Sequence, residues 1–237
     1  MPKARGQIDA LIRFWAAGPV DPYGKRLRAL LSAGERNVFA RLSSPRKIQD
    51  FVDSLPINLE ETGESIFSPR RVLRENRAHC MEGAVFAAAC FAYHDQPALL
   101  LDFQASPIDD DHVVALFRRD RLWGAISKTN HAVLRWRDPV YRTVRELAMS
   151  YFHEYLVPTG QKTLRTVSRP FDLRRYAPAR WVTAEEDLLW LQEELDDSPH
   201  VRLVPPKVIP LLRNASPLEQ RALKLVDWEQ KEPAVVE

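Results

Sequence analysis

The sequence predicts an α+β fold: an antiparallel sheet packed on a buried, cysteine-bearing helix, with helical extensions at both ends. Three observations carry this expectation. Residues 78–93 are so rich in small apolar residues that the helix they form must be enclosed. The hydrophobic period then changes near residue 97, and three short apolar runs come next with tight turns between them. Helical patterns stand before and after this block, so helices and strands are segregated along the chain.

Near the N-terminus, Lys3 and Arg5 precede the run DALIRFWAAGPV. Asp9 and Arg13 interrupt its apolar residues, so it predicts an amphipathic helix rather than a signal peptide. Leu27, Leu30 and Leu31, then Val38, Phe39 and Leu42, recur at helical spacing. Ser44-Pro45 supplies an N-cap followed by proline at the first helical position. Ile48, Phe51, Val52 and Leu55 mark one apolar face, and Pro56 ends that helix. Residues 1–60 are expected as a helical region packed on the core.

The stretch PINLEETGESIFS, 56–68, is polar and holds Pro and Gly, hence a loop. Ser68-Pro69 opens a short helix, SPRRVLRENR, and the Ala-rich helix runs from about Ala78 to Tyr93. PALLLDF (97–103), HVVALF (112–117) and LWGAIS (122–127) read as strands, joined by the turns SPIDDD and RRDR into an antiparallel meander. PVYRTVRELAMSYFHEYL, 139–156, reads as a helix with Val144, Leu147, Tyr151 and Tyr155 on one face. Residues 61–157 are expected as the core.

Residues 157–182 carry three prolines and read as irregular. Thr183-Ala-Glu-Glu186 and Ser216-Pro-Leu-Glu219 have the capping-box pattern and should open two further helices. Between them lies a Pro-rich connector, 198–215, and the final EPAVVE should fray. Residues 158–237 thus form a connector and helical C-terminal region, the whole being one compact unit.

Composition narrows the function classes. The 237 residues include 34 basic and 32 acidic side chains, a net charge of +2 that is too balanced to imply nucleic acid. No apolar run approaches the roughly 18 residues of a membrane span. Two cysteines, Cys80 and Cys90, lie ten residues apart on one predicted helix, about 15 Å by helical rise, so both are expected as free thiols in a reducing cytoplasm. There is no zinc-spaced His/Cys cluster, Walker loop or dinucleotide fingerprint, so no metal and no cofactor is expected.

Cys80 and Cys90 differ in setting. Cys80 falls in the first turn of its helix, where the dipole favours thiolate, and Arg70, Arg71, Arg74 and Arg77 precede it. Cys90 sits among Ala and Phe and has the setting of an inert core residue. A nucleophilic cysteine needs a base. His79 adjoins Cys80 but, on helical geometry, points about 100° away. His112 opens a strand just after Asp109-Asp110-Asp111, where a sheet packed on the cysteine helix brings it to the helix tip. Trp181 and Trp190 read as packing residues, LRWRDPVYR (134–142) as a loop ion-pair network, and Glu82 as exposed or a first-turn dipole partner.

Residues 68–128 resemble the transglutaminase-like family of the papain-like cysteine-enzyme superfamily. The resemblance rests on Ser68-Pro69 before the cysteine loop, on CMEGAVFAAA opening a buried helix, on PALLLDF, on HVVALF with its leading histidine, and on Trp123-Gly-Ala-Ile126-Ser127. It covers about 60 of 237 residues. It implies Cys80 as nucleophile and His112 as base. The family's third residue is an aspartate, and Ser127 stands at that position. A serine can accept the imidazole N–H bond but brings no charge. Asn130 is an alternative third member, Asp138 a further carboxylate, and Asp111 should face the opposite side of the sheet.

Two functions from different classes are implied. One is a cysteine enzyme acting on the carbonyl of a peptide, a protein or a small amide through a thioester, with hydrolysis favoured over cross-linking. The other is an inactive domain of the same type that binds a protein or peptide. A purely helical interaction protein is the third possibility, and it requires 97–127 not to be sheet.

Overall fold

A computed structural model of the chain describes residues 22–60 and 63–228. The expected helix in DALIRFWAAGPV and the frayed EPAVVE lie outside these residues. Helices α1 (Pro22–Leu30), α2 (Ala33–Arg41), α3 (Pro45–Ser54) and α4 (Pro69–Glu75) precede the central helix α5 (Cys80–Tyr93). Local chemistry sets their starts: Ser32, Ser44 and Ser68 each accept an amide of the first turn, and Pro45 and Pro69 open their helices.

Every residue of α5 from Met81 to Ala92 is buried. Helices α1 to α4 and strands β1 (Leu99–Gln104) and β2 (His112–Arg119) surround it. Its alanines and Gly83 admit this close approach. A Cβ on Gly83 would come 2.5 Å from the Cβ of Lys128, which is itself buried against Leu55. The sheet continues with β3 (Leu122–Ile126), β4 (Arg137–Tyr141), β5 (Thr166–Ser168), β6 (Phe171–Asp172) and β7 (His200–Arg202). Strand order is β4-β3-β2-β1-β5-β7, with β6 also pairing β1, and every pairing is antiparallel. The fold is therefore α+β, and the sheet over 97–127 removes the purely helical alternative.

Strand alternation splits the core in two. Leu100, Val113, Ala115, Phe117 and Ile126 meet α5 and its neighbours. Leu99, Leu101, Phe103, Val114, Leu116 and Ala125 meet Leu147 and Ala148 of α6 (Val144–Ser150), Tyr151 just beyond its end, Leu164 and Leu203. Among the described residues no helix is long and apolar enough to cross a membrane.

Four sequence expectations change. The segment 139–156 is not one helix: residues 137–141 form edge strand β4, and α6 begins only after Thr143, whose capping box with Glu146 fixes its start. Pro139 cannot donate a ladder hydrogen bond and is tolerated on an edge. The irregular 157–182 stretch and the Pro-rich connector supply β5, β6 and β7, so the sheet takes strands from both sides of residue 157. They are too short to show a period.

Thr183 opens no helix. After α7 (Pro178–Trp181), helix α8 (Leu189–Asp196) starts six residues later. Acids in and beside the apparent capping box are drawn elsewhere: Glu185, within it, pairs with Arg74, and Asp187, just after it, pairs with Arg71 and accepts the Ile66 amide. The second capping box, Ser216 with Glu219, does open α9 (Pro217–Leu223). Glu82, finally, is fully buried rather than exposed.

Candidate active site

The site is assembled at the head of α5. His79 is its N-cap, and Cys80 occupies the first helical position, where the N–H has no partner within the helix. The cap is a box built from an unusual residue. The His79 Nδ1 accepts the Met81 amide at 3.2 Å, and Glu82 accepts the His79 amide at 2.8 Å. Glu82 also accepts from the Phe67 amide and the Asn58 side chain, at 2.9 and 3.0 Å. Burial raises its pKa against these bonds. Its role is therefore to close the helix head and hold Asn58 and Phe67, which it does from wholly inside the protein.

Two imidazoles act on the Cys80 thiol: His112 and His79. Burial by itself raises the thiol pKa; the bonds and charges of His112 and then His79 reverse this and lower it from an ordinary 9.0 to about 5. The arginines of α4 are not the source. Arg70 pairs with Glu35, Arg71 with Asp187, and Arg74 with Glu75 and Glu185. Cys90, wholly enclosed, is pushed well above the ordinary range by burial alone. Both cysteines are free; Cys80 is partly exposed.

His79 is the residue least expected here. Helical spacing turns it away from Cys80, but an N-cap is not helical. Its φ of −94° and ψ of −170° fold the ring back over the first turn. Its Nε2 sits 2.8 Å from the Ser65 carbonyl, with Glu82 and Glu60 at 3.7 and 3.9 Å. Burial disfavours its charged form; the Cys80 sulfur and Glu82 outweigh this and raise its pKa to about 9. Neutral His79 can cap Met81 through Nδ1. Charged His79 carries a proton there and turns it to the thiolate. Met81 and Cys80 thus compete for one nitrogen, and proton position decides. The sequence signal is present: His79-x-x-Glu82 is a capping box with imidazole in place of hydroxyl.

His112 is 6% exposed, and its Nε2 lies 2.8 Å from Ser127 Oγ. The Ser127 hydroxyl donates its only proton to the Leu134 carbonyl. Ser127 therefore accepts the His112 Nε2–H, which leaves His112 Nδ1 as the nitrogen that faces Cys80. Gln49 of α3, also buried, accepts the Ser127 amide at 3.0 Å and donates to its carbonyl at 2.8 Å. Gln49 flanks the apolar stripe of its helix, next to Ile48 and one turn before Val52, which is its signal in the sequence. The Tyr155 hydroxyl donates to the Asp110 carbonyl at 2.7 Å and so fixes the turn that delivers His112.

The remaining candidates lie elsewhere. Both groups of the Asn130 amide bond the backbone of Trp228, each at 2.9 Å, so it cannot orient His112. Asp138 is exposed on β4. Asp111 accepts the Ala105 amide at 2.7 Å and stands beside Asp102 and Asp196. Trp181 is buried and donates to Tyr23 Oη at 2.7 Å, a packing role. Arg135 and Arg137 of the 134–142 segment pair with Asp227 and Glu154. Two surface cavities, of about 440 and 340 Å³, border Arg169 and Glu193 in one case and Phe117 and Trp123 in the other; neither touches Cys80, His112 or Ser127. No protein-family model matches this chain, and no curated protein is significantly similar to it.

Proposed function

We propose that this protein is a transglutaminase-like cysteine enzyme that hydrolyses an amide. The observation that carries the proposal is a thiol at a helix head whose pKa is lowered chiefly by a histidine, the Nε2 of which is held by a buried serine. In the reaction, the Cys80 thiolate attacks the substrate carbonyl. The carbonyl oxygen takes up negative charge near the free N–H of Cys80 at the helix N-terminus. His112 Nδ1–H protonates the leaving amine as the C–N bond breaks, which leaves a thioester. Water then loses a proton to His112, adds to the thioester carbonyl and expels the thiolate. His79 holds a second positive charge beside the sulfur through both halves.

The competing reading is a binding domain in which these residues persist without turnover. The lack of a charged third residue favours it. Ammonia release from a glutaminyl peptide or a simple primary amide, with His112→Ala as control, separates the two. Turnover abolished by His112→Ala supports the enzyme. Slow, equal alkylation of Cys80 and Cys90 by iodoacetamide, with no turnover, would sink it.

A further inference from the structure

We propose that Asp102, Asp111 and Asp196 form a binding site for a hard divalent cation, with Ca²⁺ as the ion that fits best. The three residues are far apart in sequence. Asp102 lies in β1, Asp111 directly precedes β2, and Asp196 is the last residue of α8. The fold nonetheless brings one oxygen from each carboxylate within 4.8 Å of the others. Three like charges at this spacing repel, and a structure that holds them together requires compensation.

The centre of the cluster shows what form that compensation takes. Asp102 is 1% exposed. Its Oδ2 lies 3.0 Å from His200 Nε2, but its Oδ1 is buried and has no hydrogen-bond partner. A buried carboxylate oxygen left without a donor is costly unless a cation serves it. His200 also approaches the Ser198 carbonyl at 2.6 Å through Nδ1. Both of its partners only accept. Three carboxylates set against one imidazole leave a surplus of acidic oxygens that a divalent ion serves.

Oxygen-only donors select a hard ion over zinc or copper. Oxygens brought within 4.8 Å of one another by three separate elements suit Ca²⁺, which accepts an irregular shell, better than Mg²⁺, which demands a near-ideal octahedron. Asp111 and Asp196 are exposed, so the site is open to solvent and waters complete the shell. The ion would tie β1 and the end of α8 to the residue before His112, and so brace the turn that carries it.

Calorimetry of the full chain with CaCl₂, MgCl₂ and MnCl₂ tests this without any activity readout. A saturable single-site heat is expected, strongest for Ca²⁺, with Kd between roughly 10⁻⁶ and 10⁻³ M. Asp196 is exposed, so Asp196→Asn should fold. It should weaken Ca²⁺ binding at least about tenfold, while Asp138→Asn leaves binding unchanged. In chelator, Asp196→Asn should raise Tm by relieving repulsion, and added Ca²⁺ should raise Tm in the natural chain only. No saturable heat for any of the three ions at about 10 mM, or Asp196→Asn binding as tightly as the natural chain, overturns the site.

Discussion

The pH dependence of Cys80 reactivity gives the sharpest test of the two-imidazole site. The perturbation is removal of the rings singly and together, by His79→Asn and His112→Asn. Asparagine can still cap the helix through its side-chain oxygen, so His79→Asn separates the electrostatic role from the capping role. With the thiol lowered to about 5, Cys80 is roughly 90% thiolate near pH 6, against about 0.1% for a thiol of ordinary 9.0. That is a gain of nearly a thousandfold in the reactive form. A low-pKa thiolate is intrinsically a weaker nucleophile, however, with a Brønsted slope of about 0.45. Four units cost about 60-fold, so the net advantage near pH 6 is about 15-fold.

The two effects cross. Above a pH of about 7, an unperturbed thiol ionises enough that its stronger intrinsic nucleophilicity wins. The natural chain should therefore react faster than the double variant in acid and slower in base. The assay is stopped-flow reaction with 2,2′-dithiodipyridine, which uses the same exchange chemistry and works in acid. Each single variant should raise the midpoint, and the double variant should raise it furthest, since burial then acts unopposed. A midpoint above about 8 in the natural chain, or one unmoved by either substitution, refutes the reasoning.

Three further outcomes are expected of the same structure. The Cys80 pKa is lower folded than unfolded, so its stabilisation is present above 9.0 and lost as pH falls toward 5; that of His79 is higher folded, so its stabilisation is present below 6.5 and lost as pH rises through 9. Urea unfolding, compared with Cys80→Ala, should show the excess stability flat between these opposing windows and falling between pH 6.5 and 5; an excess that grows on acidification contradicts the ion pair. Ser127→Ala frees His112 Nε2 and should lower turnover about 10–100-fold with little change in KM, whereas Ser127→Asp should lower Tm by several degrees; equal activity in Ser127→Ala removes Ser127 from the mechanism. Gly83→Ala drives a methyl into the Lys128 stem, at about 1–3 kcal/mol, which exceeds the roughly 1 kcal/mol gained in helix propensity; a raised Tm would mean that Lys128 moves aside freely.

Much of this architecture is legible in the sequence because the signals are local. Ser44-Pro45, Ser68-Pro69 and Ser216-Pro217 each mark a helix start where the structure has one. The three strands of the meander have a period and bounded turns. What escapes is set by distant partners. Thr183-Ala-Glu-Glu186 looks like a cap until Arg74 takes Glu185 and Arg71 takes the adjoining Asp187. Strands of two or three residues exist only because a neighbour offers an edge, β1 to β5 and β6, and β5 to β7. At the site, order and spacing point to Cys80, His112 and Ser127. Gln49 and the Leu134 carbonyl act across loops that no spacing rule spans. His79 escapes because a helical angle does not apply to a residue that is not helical.

The serine at position 127 invites the view that it is a decayed aspartate, and its surroundings argue otherwise. An aspartate there would point a carboxylate at the Leu134 carbonyl, two acceptors with no proton between them. The observed hydroxyl has a proton to give, and Leu134 is held to receive it. Leu134 adopts a φ of 60°, a left-handed conformation that a bulky residue enters at a cost of about 1–3 kcal/mol. Glu154 takes its amide at 2.8 Å and keeps it there. The loop thus sustains strain in a geometry that serves a hydroxyl and would repel a carboxylate. The consequence for chemistry is a division of the third residue's two tasks. Orientation is retained in full, because the serine proton is committed to Leu134 and only its lone pair remains for His112. Charge stabilisation of the imidazolium is weaker, since a polarised hydroxyl offers a dipole and not a full charge. His79 adds to what His112 does for the thiolate: the sulfur and Glu82 raise the pKa of its ring, and that carboxylate is buried 3.7 Å from its Nε2. On the proposed mechanism the acidic group of the site, Glu82, lies beyond the cap His79, while Ser127 and not a carboxylate stands beyond His112.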